Sequence, residues 1–279
     1  MEGRVAVVTG ATSGVGRATA RALAAHGFHV VLVVRDPLRG EQLRSELSDG
    51  AGSAEVVRAD LFRADDVCAA ASAIGARHPA IHLLVNNAGA VFSRRALTPD
   101  GHERTFELNV LAPFLLTRLL EPNLRAAGGG ARVVYISSAA HHGGRLDLTD
   151  LESSRRYFGF RVYSTSKLAL LLLCRAYARR SRPEEILHVA VHPGFVRSRF
   201  GRSDGGAFAV GVAIAMVFAI SPKRAARTVL YAATSPDLEG QSGAYVVRSR
   251  FARSSVAGED AATGDALWRE LARLTGLPP

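Results

Sequence analysis

Lysine is nearly missing from this 279-residue chain: Lys167 and Lys223 are its two lysines among 35 Lys+Arg residues, the rest being arginine. A lysine at a given position therefore carries information that one arginine among many does not. Cysteine is equally scarce. Two residues, Cys68 and Cys174, cannot build a disulfide framework and fit a reducing compartment. Both lie in helical patterns among apolar neighbours, which predicts buried packing. Long hydrophobic runs are missing as well. No arginine-led apolar segment opens the chain as a signal peptide would. The most apolar stretch, Gly205 to Ile220, is uncharged but shorter than the ~20 residues needed to span a bilayer, and Pro222 follows closely. The expectation is a cytoplasmic protein with no spanning segment, limited to peripheral membrane contact.

Positive charge is abundant but not gathered. The formal net charge is +10, with arginines scattered (Arg17, Arg44, Arg77, Arg118, Arg179, Arg250) rather than collected in one run. The pairs Arg94-Arg95, Arg155-Arg156 and Arg179-Arg180 can form only local patches. No nucleic-acid motif accompanies them, so the excess reads as solubility with some attraction to anionic lipid or phosphate, and no nucleic-acid partner is expected.

What is present is a core. With 48% hydrophobic content the chain can bury one as a single domain over 1–279. There is no internal repeat and no long linker; Gly128-Gly129-Gly130 is an ordinary loop. Apolar runs near 4–9, 29–34, 54–57, 81–85, 132–136, 186–191 and 243–247 alternate with segments of helical period. That alternation predicts an α/β doubly wound parallel sheet with helices on both faces.

Two motifs carry chemistry. The first run, Arg4 to Thr9, leads into Gly10, Thr12, Ser13, Gly14, Val15 and Gly16, then an alanine-rich helical stretch closing at Gly27, then a second strand from His29 to Val34. Glycines between a strand and a helix let backbone N–H groups approach a diphosphate, and the helix N-terminus adds partial positive charge. The second motif is Tyr163-Ser164-Thr165-Ser166-Lys167. On a helix, positions i and i+4 share a face. A tyrosine has a pKa of about 10 and is a poor acid or base at neutral pH; an adjacent ammonium favours the phenolate and draws that pKa toward the working range.

With these residues the chain resembles the short-chain dehydrogenase/reductase family over nearly its whole length. Thr9, Gly10, Gly14 and Gly16 match the family's glycine motif, and Asn86-Asn87-Ala88-Gly89 its Asn-Asn-Ala-Gly. Asn109, Ser138 and the turn Pro193-Gly194 match further family positions. It is most similar to the retinol-dehydrogenase-like branch, through Arg35-Asp36, Ser137-Ser138-Ala139-Ala140-His141, His192-Pro193-Gly194, Leu267-Trp268 and the 25-residue spacing from Ser138 to Tyr163. The resemblance implies a Rossmann-type fold and an NAD(P)-dependent oxidoreductase interconverting an alcohol and a carbonyl. It implies catalytic roles for Asn109 (anchor of a relay water), Ser138 (orienting the substrate oxygen), Tyr163 (acid–base) and Lys167 (binding the nicotinamide ribose and lowering the tyrosine pKa).

Cofactor contacts implied by the resemblance are Gly10, Thr12, Ser13, Gly14, Val15, Gly16, Arg35, Asp60, Leu61, Asn87, Ala88, Gly89, Tyr163, Lys167, Pro193, Gly194, Val196 and Ser198. Ser198 replaces the usual threonine and keeps its hydroxyl. At the end of the second strand a carboxylate binds a ribose 2′-hydroxyl and an arginine a 2′-phosphate; Val34 followed by Arg35 favours NADP(H). His141, His142 and His192 lack cysteine or carboxylate partners at ligand spacing, so no metal is expected. Asp60 has a loop cap as its alternative role.

The run Lys167 to Cys174 is apolar all round, hence buried inside the domain or across a subunit interface. The family often pairs this helix, which points to a homo-oligomer. Two segments, 139–162 and 195–222, are expected to cover the substrate. Their residues Leu146, Leu148, Leu151, Tyr157, Phe158 and Phe160, with Phe208, Val210, Val212, Ile214, Met216, Val217 and Phe218, predict a bulky apolar substrate: retinoid-like, terpenoid, steroid or long-chain aldehyde or ketone. The alternative for those residues is packing within the chain or against a second subunit. The alternative for the whole chain is a non-catalytic NADP-binding regulatory or interaction protein.

Overall fold

The computed structural model describes residues 3–48, 51–182, 184–195 and 220–279. Seven β-branched runs become parallel strands: β1 Val5–Thr9, β2 His29–Val34, β3 Ser53–Arg58, β4 Leu83–Asn86, β5 Ala131–Ile136, β6 Ile186–His192 and β7 Ala244–Val247. A two-residue antiparallel strand, β8 Arg250–Phe251, closes the edge, and the order is β3-β2-β1-β4-β5-β6-β7-β8. The strand order reverses between β1 and β4, so the crevice at their carboxyl ends is where an α/β sheet of this kind takes a ligand.

Alternate side chains of each strand feed separate apolar layers. Val5, Val7, Val31 and Val33 pack on one face under α3 (Ala64–Arg77), α5 (Ala112–Arg125), α6 (Gly159–Arg180) and α8 (Ala261–Thr275). Ala6, Val8, Val30 and Leu32 pack on the other under α1 (Gly14–Ala25), α2 (Pro37–Leu47) and α7 (Pro222–Thr234). Burial on both faces is why the strands read as continuous apolar runs. Between β4 and α5 lie the short α4 (Arg104–Phe106) and a π-helical turn, Glu107–Leu111.

Two expectations are corrected here. Cys174 is buried, but Cys68 is exposed; the buried stripe of α3 is Val67, Ala70, Ala71 and Ile74, and Cys68 lies one step off it. Leu168 to Cys174 are all buried within the single chain, against the sheet and under the chain's own C-terminal segment. A methyl at Gly258 would come within 2.6 Å of Leu171 Cδ2, and Trp268 of α8 stacks edge-on against Tyr177 of α6, centroids 4.7 Å apart. The apolar run therefore gives no argument for an oligomer. Among the described residues no helix is long and apolar enough to cross a membrane, and all of Gly205–Ile220 but Ile220 lies outside them.

Candidate active site

The loop from β1 into α1 presents its backbone at the crevice. Ser13 precedes α1 in extended conformation (φ −151°, ψ 164°), makes no side-chain capping bond, and the first turn holds no acid. The orphan N–H groups and positive end of the helix are thus left for an anion. Thr9 Oγ1 accepts from the N–H groups of Asn87 (2.9 Å) and Ala88 (3.0 Å). The Asn87 amide donates back to Thr9 O (2.7 Å) and Gly10 O (3.3 Å). Asn87 therefore acts as a brace between β4 and the glycine loop. A Cβ at Gly16 would lie 2.4 Å from both Asn87 Nδ2 and Gly10 O, so only glycine allows the brace. A diphosphate fits this cradle.

At the end of β2, Arg35 is exposed with no hydrogen bond or ion pair to other described residues. The Asp36 carboxylate, of the charge that repels a phosphate, is occupied: it caps α2 by accepting from Leu38 N (3.1 Å) and Arg39 N (3.4 Å) and pairs with Arg39 Nε at 3.2 Å. Asp60 accepts from Phe62 N at 3.3 Å, the loop-capping role, and Leu61 packs against the core. Pro193 and Gly194 follow β6 at the same edge. Val196 and Ser198 lie outside the described residues.

Asn109, Ser138, Tyr163 and Lys167 converge at the carboxyl ends of β4 and β5. Tyr163 and Lys167 occupy successive turns of α6, with Lys167 Nζ 5.6 Å from the phenol ring centroid. The Ser138 hydroxyl lies beside the Tyr163 phenol, where it favours the phenolate. Lys167 Nζ donates to Ile136 O (2.8 Å), and a Cβ on Gly89 would sit 3.2 Å from it, so the β4 loop approaches the ammonium through a glycine. Asn109, on the π turn, donates to Ala90 O (3.0 Å) and Ser166 Oγ (2.9 Å) and accepts from Ala90 N (2.9 Å). Both amide hydrogens are committed, so its side chain ties the β4 loop to α6.

Burial dominates the titrations. Tyr163 is pushed up to about 12 by desolvation, opposed by the Ser138 hydroxyl, and Lys167 is drawn down to about 8 by desolvation. Removing a phenolate from water outweighs the pull of a cation 5.6 Å from the ring centroid, so the net direction for Tyr163 is upward.

One residue left outside the sequence-derived site belongs to its frame. His141 is buried; its Nε2 accepts from Ser255 N (3.1 Å), which leaves Nδ1–H to donate to Ser138 O (2.7 Å). It thereby fixes the backbone that carries Ser138.

The apolar mouth divides. Leu146 and Leu151 pack against the core, and the single Tyr157 O–H is shared between Phe92 O (3.0 Å) and Glu103 Oε1 (3.1 Å), so these three pack within the chain. Phe158 (67% exposed), Phe160 (49%) and Phe195 (45%) remain in solvent, as does Leu148, and the Phe160 ring lies 6.4 Å from that of Tyr163. Phe195 O accepts from Ile220 N at 2.7 Å. Phe208, Val210, Val212, Ile214, Met216, Val217 and Phe218 lie outside the described residues.

Residues 4–205 match the family model for short chain dehydrogenase. The chain is 39% identical to polyprenol dehydrogenase of Mus musculus, over 98% of this chain and 84% of that protein. It is 34% identical to retinol dehydrogenase 12 of Homo sapiens, over 99% and 88%. The Pseudomonas aeruginosa RhlG/NADP active-site complex is similar with a TM-score of 0.71 at 26% identity, covering 88% of this chain and 95% of that one.

Proposed function

Because the chain belongs to the short-chain dehydrogenase family, in its retinol-dehydrogenase-like branch, we propose that it interconverts an alcohol and a carbonyl on a bulky apolar substrate, with NADP(H) as cofactor. The observation that carries the reading is the Ser138–Tyr163–Lys167 cluster beside the uncapped N-terminus of α1. Gly10, the first turn of α1 and Arg35 would hold the cofactor's phosphates, with Lys167 at the ribose. When bound, NADP(H) supplies the hydride chemistry.

The protein's own part is the proton. A phenol held at about 12 is fully protonated at neutral pH and is an acid for a carbonyl oxygen; taking a proton from an alcohol needs the Lys167 charge and the Ser138 donor to stabilise the phenolate. Lys167, drawn down to about 8, keeps most of its charge at pH 7. Phe160 beside Tyr163 and the exposed Phe158 and Phe195 supply apolar surface for the substrate, worth about 25 cal/mol per Å² removed from water. Support for NADP(H) comes from the uncommitted Arg35 and the committed Asp36, together with the NADP complex of the similar structure.

The test is turnover of all-trans-retinal, decanal and a small polar ketoacid with NADPH, by wild type and by Tyr163→Phe. The apolar carbonyls are expected to have the higher kcat/KM, and Y163F to lose at least about 10²-fold in kcat, the scale of general acid catalysis, while still binding NADPH. Full activity of Y163F, or preference for the ketoacid, would overturn the corresponding half of the reading.

A further inference from the structure

At the opposite edge of the sheet from the crevice, three elements bring together two imidazoles and a carboxylate. His29 opens β2 and Glu55 lies in β3, where the parallel register sets His29 beside Ser53 and Val31 beside Glu55. Positions 29 and 31, like 53 and 55, point to the same side of the sheet, the side covered by α3. His78 immediately follows α3. One ligand atom from each of His29, Glu55 and His78 lies within 4.8 Å of the others.

The finer geometry favours coordination over simple hydrogen bonding. His29 Nδ1 is held by Ser53 Oγ at 2.7 Å, an outer contact of the sort that orients a ligating imidazole. His29 Nε2 is buried and has no hydrogen-bond partner, an arrangement that costs free energy unless something else meets the atom. His78 Nε2 contacts Glu55 Oε1 at 2.8 Å, and the two imidazole rings are 5.1 Å apart, tilted by 42°. We propose that His29, Glu55 and His78 form a binding site for a divalent first-row cation of the zinc type. Two nitrogens and one carboxylate oxygen are the donors zinc prefers, with a water as fourth ligand. Bonds of about 2.0–2.1 Å place tetrahedral ligands roughly 3.3 Å apart, so small side-chain rotations at the half-buried His78 and Glu55 close the site. Glu55 now pairs with Arg77 (Nε–Oε2 3.4 Å), which a cation would displace. The bound ion would clamp β2, β3 and the end of α3, away from the catalytic groups.

The experiment uses the full chain stripped of metal. Zinc is titrated against a chromophoric chelator, with thermal unfolding followed in parallel. One equivalent is expected to bind with micromolar or tighter affinity and to raise the midpoint, since a ligand of the folded state alone stabilises it. His78→Gln and Glu55→Gln are each expected to weaken binding at least about tenfold, with far-UV circular dichroism confirming that they fold. Zinc added to the wild type is expected to shift the imidazole NMR signals of His29 and His78, a readout that needs no variant. No uptake by the wild type at tens of micromolar, uptake unchanged in the variants, or shifts confined to other histidines would overturn the proposal.

Discussion

Arg35 is the residue on which cofactor choice turns. Its guanidinium is exposed and uncommitted at the end of β2, while the neighbouring carboxylate of Asp36 is spent on the N-terminus of α2. A charge-assisted contact to a 2′-phosphate is worth about 1.5–3 kcal/mol. Arg35→Leu is therefore expected to weaken NADPH binding roughly 10- to 100-fold and to leave NADH nearly unchanged; calorimetry with both cofactors checks this, and equal losses for the two would remove Arg35 from the 2′ site. The identities of Tyr163, Lys167, Ser138 and Asn109 were legible because each sits in a local pattern of fixed spacing. Their physical states were less so. The tyrosine's upward shift depends on how completely the fold buries it. Asn87, Asn109 and His141 bond to backbone from remote segments, and no local pattern reports such partners.

The π turn illustrates what an element does that its residues do not announce. It carries Asn109 toward the β4 loop and, two positions earlier, buries Glu107 with its Oε2 unpartnered. Burial, chiefly, pushes that carboxyl up to about 7 from an ordinary 4.5. Because the folded-state value lies above the unfolded one, the native chain holds more protons than the unfolded chain between those limits, and stability falls as pH rises through the window. Glu107→Gln removes the titration while keeping the shape. The variant is expected to melt a few degrees above wild type at pH 8 and to coincide with it near pH 4.5; parallel curves at both pH values would show that Glu107 is not held protonated. The inner parallel strands were legible because burial on both faces makes them continuous apolar runs, and the edge strand β3 through its short apolar stretch at Val56 and Val57. β8 was not, since Arg250 and Phe251 are both exposed and form no run. The His29–Glu55–His78 cluster was likewise invisible, its members being spread over β2, β3 and the end of α3.

At the scale of the whole molecule, α8 closes the apolar layer that α3, α5 and α6 share, packing over α6. Trp268 meets Phe114 at 5.1 Å and Tyr177 at 4.7 Å, both edge-on, with the Arg180 guanidinium 4.4 Å from its ring. Trp268→Ala opens a cavity where the two helices meet and is expected to cost roughly 3–5 kcal/mol, read as a lower urea midpoint with an unchanged slope; a loss under about 1 kcal/mol would mean that α8 adds little to the fold. The apolar run in α6 left burial inside the domain and a subunit interface both open; the cover comes from the chain's own distant C-terminus, a relation that a helical run cannot encode. At the crevice, the Phe195 carbonyl receives the Ile220 N–H, so the chain leaves β6 and re-enters ahead of α7 through a single doorway. Closing a loop costs only about 0.6 kcal/mol more for each doubling of its length. That bond fixes the two ends of the intervening stretch against each other, so lengthening the stretch adds little to the free-energy cost of closing the chain at this point.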